Sequence, residues 1–333
     1  MPVSNINPYL VDAPDLVLEK RNQPICIVPT ISYGSMANDD GHLLLDKEQR
    51  NALIAAEPAT APYIRRYMGA QEFLNNAERW CLWLKDISPS LMRSSNELRH
   101  RIEAVRKFRA SSNREATRNL AATPSLFGED RQPLKSYLLL PKVSSENRPY
   151  MPIGFMPSEV IANGSALTIS DSGHYEMGVL QSKMHMAWMR AVAGRMKSDY
   201  QYSAQIVYNN FPWPDLPEKL EPNQPQTPTH KAQTAIAKAA QAVLDARAQF
   251  PGSSLADLYD PLTMPPALLK AHQKLDAAVD AAYALVGGKK TWKNDAERVA
   301  FLFERYQHLT SLLPAVKGKG KEKTKGKAGR KQA

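Results

Sequence analysis

The chain has 333 residues, of which 43% are hydrophobic and 23% are charged, and its mean hydropathy is −0.44. This length allows one large or two smaller domains, and the composition is that of a globular protein. No window approaches about 18 uninterrupted apolar residues, and the beginning of the chain lacks a secretory pattern, so we expect neither a membrane span nor a leader. Cys26 and Cys81 have no metal-ligand or disulfide spacing, which favours buried free thiols in a cytoplasmic protein.

The net charge of +10 is concentrated at the carboxyl end of the chain. Residues 317–333, KGKGKEKTKGKAGRKQA, contain seven lysines, one arginine and one glutamate, so they carry +7 and leave +3 for the rest. A Lys/Gly run of this kind is typical of a disordered tail that adds phosphate affinity without sequence preference. We therefore predict a disordered basic tail over residues 314–333, and any specific function belongs to the body of the chain.

The first half of the body is predicted to change from irregular to helical structure. Short apolar runs broken by Pro, Gly, Asn and Asp extend to about residue 45 and indicate turn-rich or β structure. Residues 61–84 then show helical periodicity, and residues 91–118 continue it as a charged helix. Eight arginines and lysines stand against three glutamates in that helix, so a solvated face and a phosphate-contacting face both remain open.

The second half of the body is predicted to be strand-rich and to end in helices. Strands are expected at residues 136–156, 165–170, 175–179 and 205–210. A helix is predicted over residues 182–195, a Pro-rich linker over residues 215–230, and helices over residues 231–313. The sequence thus predicts an α+β fold, with a mixed α/β body followed by a C-terminal helical bundle.

Catalytic motifs are not found in this sequence. Asn7-Pro8-Tyr9 is similar to the Asn/Asp/Ser-Pro-Pro-aromatic loop of amino-methylating enzymes, but the second proline is missing. No Gly-rich turn could hold S-adenosylmethionine, and the histidines form no metal or triad pattern. We therefore expect no catalytic residue, cofactor or metal in this chain, and we predict that His185 and Trp213 are core residues.

The most informative segment is KSDYQYS, residues 197–203. In an extended chain the side chains alternate between two faces, so one face carries Lys197, Asp199, Gln201 and Ser203. Lys donates to guanine O6 and N7, Asp accepts from cytosine N4, Gln pairs with adenine, and Ser adapts to either kind of edge. These four side chains match a base-reading set, although a surface strand with an ordinary Lys–Asp contact fits the spacing as well.

The surrounding run, SKMHMAWMRAVAGRMKSDYQYSAQIVYNNFPWP, resembles a signature of the MmeI-type DNA methyltransferases, which are single-chain type II restriction–modification enzymes. Further strings agree with that family, among them RRYMGAQEFLNNAERWCLWL, RIEAVRKFRASS, LFGEDRQP, SSENRPYMPIGF and LDARAQFPGSSLADLYDPLTMPPALLKAHQKLDAAVDAAY. The resemblance is collinear over about residues 5–312 and leaves out only the basic tail.

Members of this family share a layout of nuclease, helical connector, methyltransferase, target-recognition domain and C-terminal helical segment. The resemblance covers only the last two of these. It implies a connector over residues 1–45, a DNA target-recognition domain over residues 46–214 and a C-terminal helical domain over residues 231–313. Adenine-N6 methylation with S-adenosylmethionine and a role in phage defence are implied for the family, and the cofactor belongs to a domain that this chain does not match.

The resemblance also implies site residues. Lys197 and Asp199, and less directly Gln201, fall at positions that vary with the target sequence in the family, so we expect Lys197 to contact guanine and Asp199 its paired cytosine in double-stranded DNA. Phosphate contacts are expected from arginines of the body, namely Arg65, Arg66, Arg106, Arg109, Arg131, Arg148 and Arg195.

Three functions remain open on the sequence alone. The leading one is a recognition module that positions a catalytic domain, which a separately encoded methyltransferase or endonuclease chain would supply. The second is an inactive remnant of an adenine-specific methyltransferase, or a fragment that is active only when complemented. The third is a nucleic-acid binder without sequence preference that acts through its basic tail.

Overall fold

The computed structural model describes residues 6–10, 12–214 and 227–311. Within these ranges the strands are β1 (Ile31–Tyr33), β2 (Leu44–Leu45), β3 (Ile64–Met68), β4 (Trp80–Leu82), β5 (Tyr137–Pro141), β6 (Val143–Ser144), β7 (Gly154–Met156), β8 (Ile161–Ala162), β9 (Ala166–Ser170), β10 (Gly194–Met196) and β11 (Asp199–Gln201). The helices are α1 (Lys47–Ala56), α2 (Ala70–Asn75), α3 (Pro89–Ser94), α4 (Asn96–Ala110), α5 (Glu115–Asn119), α6 (His174–Leu180), α7 (Lys183–Val192), α8 (Pro228–Ala248), α9 (Leu255–Leu258), α10 (Pro266–Ala284) and α11 (Asp295–Ser311). The predicted basic tail and most of the predicted linker lie outside the described residues.

Three small sheets form the body. The first sheet is antiparallel, with strand order β1-β9-β5-β7, and the second has the order β2-β4-β3-β8, with β8 parallel to β3. The third sheet has the order β10-β11-β6. All five residues of β5 are buried because both faces of the first sheet are covered, which explains why this strand is a continuous apolar run. The strands expected within residues 136–156 and 165–170 are confirmed.

The helix predicted over residues 61–84 is wrong. This stretch forms β3, the short helix α2 and β4. Gly69 is extended at the start of α2, and Asn76 ends the helix in the left-handed region with φ of 55°. These two breaks separate IRRYM from WCL, which then pair as antiparallel strands with Arg66 opposite Trp80.

Two strand predictions are also wrong. Residues 175–179 belong to α6, because the Glu176 carboxylate accepts a hydrogen bond from Gly173 N at 2.7 Å and caps a helix. Residues 204–208 form a π-helical turn instead of the predicted strand at 205–210. The helix predicted over residues 182–195 ends at Val192, since the chain turns into β10 at Gly194.

The C-terminal helices α8, α10 and α11 share one hydrophobic core with the body. Gly178 of α6 lies so close to this layer that an added Cβ would be 2.7 Å from Ile236 Cγ2 and 3.1 Å from Leu275 Cδ1. A side chain at this position would therefore push α6 away from the C-terminal helices. The helical structure predicted beyond residue 231 is confirmed as far as the structure extends, and it packs on the body as part of the same core.

The beginning of the chain is also part of this packing. β1 forms one edge of the first sheet, although it lies in the predicted connector. The ring of Tyr9 lies 5.2 Å from that of Phe303, and its hydroxyl accepts a hydrogen bond from Leu18 N at 2.9 Å. Asn7 Oδ1 accepts from Tyr9 N at 3.0 Å, so Asn7-Pro8-Tyr9 is a local turn with a packing aromatic. The described residues before β2 therefore pack against the first sheet and the C-terminal helices.

A buried acid connects α10 to the body. Asp276 Oδ2 accepts a hydrogen bond from the Tyr150 hydroxyl at 2.7 Å, and Oδ1 accepts one from Lys183 N at 2.7 Å. Asp276 is only 7% exposed, and this burial raises its pKa to about 6 from an ordinary value of 3.8. The folded state therefore holds a proton on this carboxyl more tightly than the unfolded chain does.

We expect Asp276→Asn to remove a pH dependence of stability. Above pH 6 the carboxylate is ionised in both states, and its burial costs up to about 3 kcal/mol. This cost declines as the pH falls from 6 towards 4, because the folded state is protonated first. The gain in unfolding free energy on Asp276→Asn should therefore be larger at pH 7.5 than at pH 4.5, as measured by urea denaturation.

The difference between variant and wild type is the quantity to measure, because buried histidines act in the opposite direction. Burial lowers the pKa of His185 to about 3, so protonation of this residue in the unfolded chain weakens folding as the pH falls below 6.5. Asp245→Asn, on the exposed side of α8, is a control for the loss of one charge. A constant difference between Asp276→Asn and wild type at all pH values would contradict the assignment.

Among the described residues, no group of three or more His, Cys, Asp or Glu side chains is placed so that it could hold a metal ion. Cys81 is a free thiol buried in β4, and Cys26, which is partly exposed, has its sulfur 3.9 Å from the carbonyl of Phe211. In the same parts of the chain, no helix combines the length and the apolar character needed to cross a membrane.

Candidate nucleic-acid interface

The segment that the sequence singled out forms a β-hairpin at the edge of the third sheet. β10 pairs with β11, so that Arg195 lies opposite Tyr200, and β11 pairs on its other side with β6. Every residue of β10 is exposed. The hairpin follows directly on α7. Most residues of this helix are buried, among them three methionines and Trp188. The outer strand of this hairpin, β10, is the exposed edge of the three-stranded sheet. A β-ribbon of this kind is of a size that the major groove of DNA admits.

Lys197 occupies the tip of this hairpin. Met196 pairs with Asp199, so Lys197 and Ser198 form a two-residue turn. Lys197 has φ of 57°, in the left-handed region that costs a non-glycine residue about 1 kcal/mol. Glycine is preferred at the first position of such a turn. The side chain of Lys197 is exposed at this tip.

The next residues alternate as the sequence predicts. Tyr200 and Tyr202 face the core and are 6% and 1% exposed. The Tyr202 hydroxyl lies 3.0 Å from Nε2 of His185, which is itself fully buried. Asp199 and Gln201 lie on the other, less buried face of β11. The buried pair of rings fixes the orientation of the strand and hence of its outward side chains.

Ser203 lies beyond the end of β11 and caps the turn that follows it. Its hydroxyl accepts a hydrogen bond from Ile206 N at 3.2 Å and caps the π-helical turn over residues 204–208. Ser203 lies beyond the end of β11 at Gln201, so strand alternation does not place it with the other three residues, and its contact with a base stays a prediction. Lys197, Asp199 and Gln201 remain as the outward polar set.

Arg195 adds a cation to the same hairpin. Its guanidinium stacks at 3.9 Å on the ring of Tyr200 and donates to the carbonyl of Ser198 at 2.7 Å. Arg195 also lies 3.5 Å from Glu146, while its side chain stays 44% exposed. Asp199 Oδ1 is 3.4 Å from the backbone N–H of Glu146, so these charged side chains are held in place by the sheet. The position of Arg195 fits its predicted phosphate contact, and its donors remain accessible from solvent.

Arg109 lies in the interior, contrary to its predicted contact with phosphate. The residue is 0% exposed, and burial lowers its pKa. All five N–H groups of its guanidinium donate to backbone carbonyls, namely those of Ala37, Asn38, Leu120, Thr123 and Leu126. Arg109 therefore ties α4 to two loops and has no donor left for DNA.

Arg65 and Arg66 lie on opposite faces of β3. Arg66 is 5.2 Å from the ring centre of Trp80 and 3.4 Å from Glu78, and Arg50 stacks on the same ring at 5.1 Å. Nε of Arg65 is buried without a hydrogen-bond partner. The two neighbouring arginines thus have different surroundings, and Arg66 serves as part of the cover over Trp80.

The remaining predicted phosphate contacts are surface or half-buried groups. Arg106 on α4 is 55% exposed and lies 3.4 Å from Glu103. Arg131 pairs with Glu129 and is 37% exposed. Arg148 is half-buried, and desolvation lowers its pKa. Arg106 and Arg131 have the accessibility that a phosphate contact requires, whereas most of Arg148 is already within the body.

The family to which these features belong is shown by comparison with known proteins. Residues 12–215 match the MmeI target recognition domain, and residues 228–314 match the MmeI C-terminal domain. The chain therefore belongs to the MmeI family. This result confirms the resemblance on which the sequence analysis rested.

Two relatives show how much of the chain this likeness covers. DNA methyltransferase A of Bacillus subtilis (strain 168) is 36% identical over 308 residues, which are 92% of this chain and 33% of that protein. The type IIL restriction–modification enzyme MmeI, solved in complex with DNA, superimposes with a TM-score of 0.84 at 45% identity, over 93% of this chain and 39% of that one. The α+β fold is thereby confirmed, and the chain spans between a third and two fifths of these relatives.

Proposed function

We propose that this chain is a sequence-specific DNA recognition module of a restriction–modification system. The observation that carries the proposal is the exposed hairpin with Lys197 at its tip and Asp199 on its outward face. It lies within the region that matches a target recognition domain, and the related MmeI structure was solved in complex with DNA.

The chemistry of the hairpin favours one G·C base pair. A lysine ammonium donates to guanine O6 and N7, and an aspartate carboxylate accepts from cytosine N4. Lys197 and Asp199 are two residues apart at the end of one hairpin, so both partners of a single pair are within their reach. Gln201, further along the same face, is proposed to contact a neighbouring pair, and Arg195 a phosphate.

The methyl transfer itself is proposed for a catalytic domain that this module positions. That domain would carry S-adenosylmethionine and methylate adenine N6, and it could be encoded in a separate chain. The contribution of the described residues is placement: the third sheet holds the hairpin, and the shared core joins it rigidly to the C-terminal helices. We further propose that the system works in the cytoplasm in defence against phage.

Selection from a pool of randomised duplexes tests this function. The full chain is bound at near-physiological salt, and the retained DNA is sequenced. We expect enrichment of one motif that contains a fixed G·C pair, because direct contacts discriminate between base pairs by about 1–3 kcal/mol each. A variant truncated after residue 316 should enrich the same motif with lower overall affinity, since it loses only non-specific phosphate contacts.

The alternatives give different results in the same experiment. Salt-sensitive binding without an enriched motif, abolished by the truncation, would assign binding to the basic tail and contradict the proposal. Enrichment only after addition of a methyltransferase chain would identify a fragment that needs complementation. Absence of binding under both conditions would identify an inactive remnant.

A further inference from the structure

Helix α7 connects the hydrophobic core to the hairpin formed by β10 and β11. It ends at Val192, and β10 begins at Gly194, so only Ala193 lies between them. Ala193 N donates to Met189 O at 2.9 Å, which extends the helical hydrogen bonding to the start of the hairpin. A shift of the last turn of α7 therefore displaces the hairpin as well.

Helix α11, in the C-terminal part of the chain, packs along α7. The ring of Trp188 lies 5.2 Å from that of Phe303 and 6.3 Å from that of Tyr306. Burial of these rings stabilises the contact between the two helices. Because the hydrophobic effect is non-directional, the orientation of the last turn of α7 also depends on its polar contacts.

One guanidinium joins this last turn to two other elements. Arg190 Nη1 donates to Asp295 Oδ2 at 2.8 Å, and Arg190 Nη2 donates to the carbonyl oxygen of Arg148 at 3.4 Å. Asp295 is the first residue of α11, and Arg148 lies in the loop after β6, the strand that pairs with β11. Arg190 thus connects a C-terminal helix both to the helix that leads into β10 and to the strand next to β11.

Asp295 is also held from its other side. Arg298 Nη1 is 3.9 Å from Asp295 Oδ1, and Arg298 Nη2 donates to Asp280 Oδ2 of α10 at 2.9 Å. Both Arg298 and Asp280 are buried. An isolated ion pair on a surface is loosely held, whereas here a buried pair anchors the carboxylate that Arg190 contacts.

A second carboxylate of the C-terminal part acts on the same sheet. Burial lowers the pKa of Arg148, and the carboxylates of Asp199 on β11 and of Asp260 after α9 act against this shift. The guanidinium of Arg148 therefore interacts with the hairpin and with the C-terminal part of the chain at once. Asp260 and Asp295 thus approach the third sheet through two different arginines.

Contacts with a base edge are sensitive to the orientation of the hairpin. A hydrogen bond is lost when its donor and acceptor move from about 2.9 Å to about 3.6 Å apart. A displacement of this size would weaken the contacts proposed for Lys197 and Asp199 and would leave the charge of the protein unchanged. Loss of the Arg190–Asp295 contact should therefore reduce discrimination between base pairs more than it reduces non-specific affinity.

We propose that Asp295 and Arg190 are positioning residues through which the C-terminal helices set the orientation of the hairpin. They act through α7 and the third sheet, and not by contact with DNA. The effect on recognition rests on the proposed function, whereas the coupling between Asp295 and the hairpin can be measured in the absence of DNA.

Hydrogen exchange of the free, full-length protein tests this coupling. Asp295→Asn keeps the size of the side chain and removes the charge that holds Arg190. We expect the backbone amides of residues 194–202 to exchange about 3- to 5-fold faster than in the wild type, with those of the first sheet unchanged. Asn294 Oδ1 caps α11 by accepting from Glu297 N at 2.9 Å, so the helix itself should stay intact in this variant.

Glu297→Gln is the matched control. Glu297 is an acid in the same first turn of α11, but its ion-pair partner is Lys289 and not a residue of α7. This variant should leave the exchange of residues 194–202 as in the wild type, and Asp295→Glu, which keeps the carboxylate, should do the same. Equal acceleration in Asp295→Asn and Glu297→Gln, or no acceleration in Asp295→Asn, would overturn the proposal.

Competition between duplexes that differ only in the G·C pair measures the effect on recognition. In Asp295→Asn the preference for G·C should fall at least about 3-fold, while the slope of log affinity against log salt stays that of the wild type, because no phosphate contact is lost. Faster exchange with an unchanged preference would contradict the positioning role. A wild type that prefers no base pair would overturn the proposed function, and the exchange experiment would still decide whether Asp295 holds the hairpin.

Discussion

The double variant Lys197→Glu/Asp199→Arg should prefer C·G where the wild type prefers G·C. The exchange places an acceptor at the tip of the hairpin and a donor on its outward face, so each base of the pair meets the wrong chemical partner unless the pair is reversed. Each contact discriminates by about 1–3 kcal/mol, so reversal of both should change the ratio of the two affinities by at least about 100-fold.

Competition between two duplexes that differ only in this pair measures the effect. Lys197→Gly is a useful control, because glycine relieves the backbone at φ of 57° and should raise the unfolding free energy by about 1 kcal/mol. The same variant should lose preference for guanine, so recognition and stability would change in opposite directions. An unchanged preference in the double variant would show that neither side chain contacts this pair.

The alternation of residues 199–202 could be predicted from the sequence, because it needs only the period of a strand and two apolar rings. The turn at Lys197 could not, since a lysine with positive φ has no local sequence signal, and glycine or asparagine would be expected there. The place of Ser203 in the fold could not be predicted either. Nothing in KSDYQYS shows that the strand stops at Gln201 and that the serine caps a turn.

The burial of Arg109 had a signal in the sequence. Leu98, Ile102 and Val105 are spaced by four and three residues on α4, and Arg109 continues this buried stripe. A count of the basic residues on α4 does not show this pattern, because it gives buried and exposed arginines the same weight. Arg106 falls off the stripe and is exposed, in agreement with helical periodicity.

An open cavity next to the second sheet shows where prediction from sequence ends. Glu72 and Arg79 come from one local unit, β3-α2-β4, but Asp39 and residues 163–165 come from distant segments and line the same open cavity, next to the parallel pairing of β8 with β3. Long-range pairing of short strands is not encoded in local periodicity. The family strings cover these segments separately and do not show that Asp39 and residues 163–165 lie beside Glu72 and Arg79.

Replacement of Arg109 by Met should destabilise the protein severely. The variant leaves five backbone carbonyls without the donor that now satisfies them, and an unsatisfied buried group costs about 1–3 kcal/mol. Even with partial relaxation, we expect a loss of about 5 kcal/mol or more, comparable with the total stability of many domains. Thermal unfolding and the yield of monomer in gel filtration measure this effect.

Two further variants separate this structural role from a phosphate contact. Arg109→Lys keeps the charge, but three ammonium donors cannot reach five carbonyls, so this variant should be destabilised as well. Arg106→Met, one turn earlier, removes an exposed arginine and should leave thermal unfolding nearly unchanged. If Arg106 contacts a phosphate, its loss should reduce the slope of log affinity against log salt by about 0.9. A stable Arg109→Met protein with only a reduced salt slope would instead assign the phosphate contact to Arg109 and contradict its place in the core.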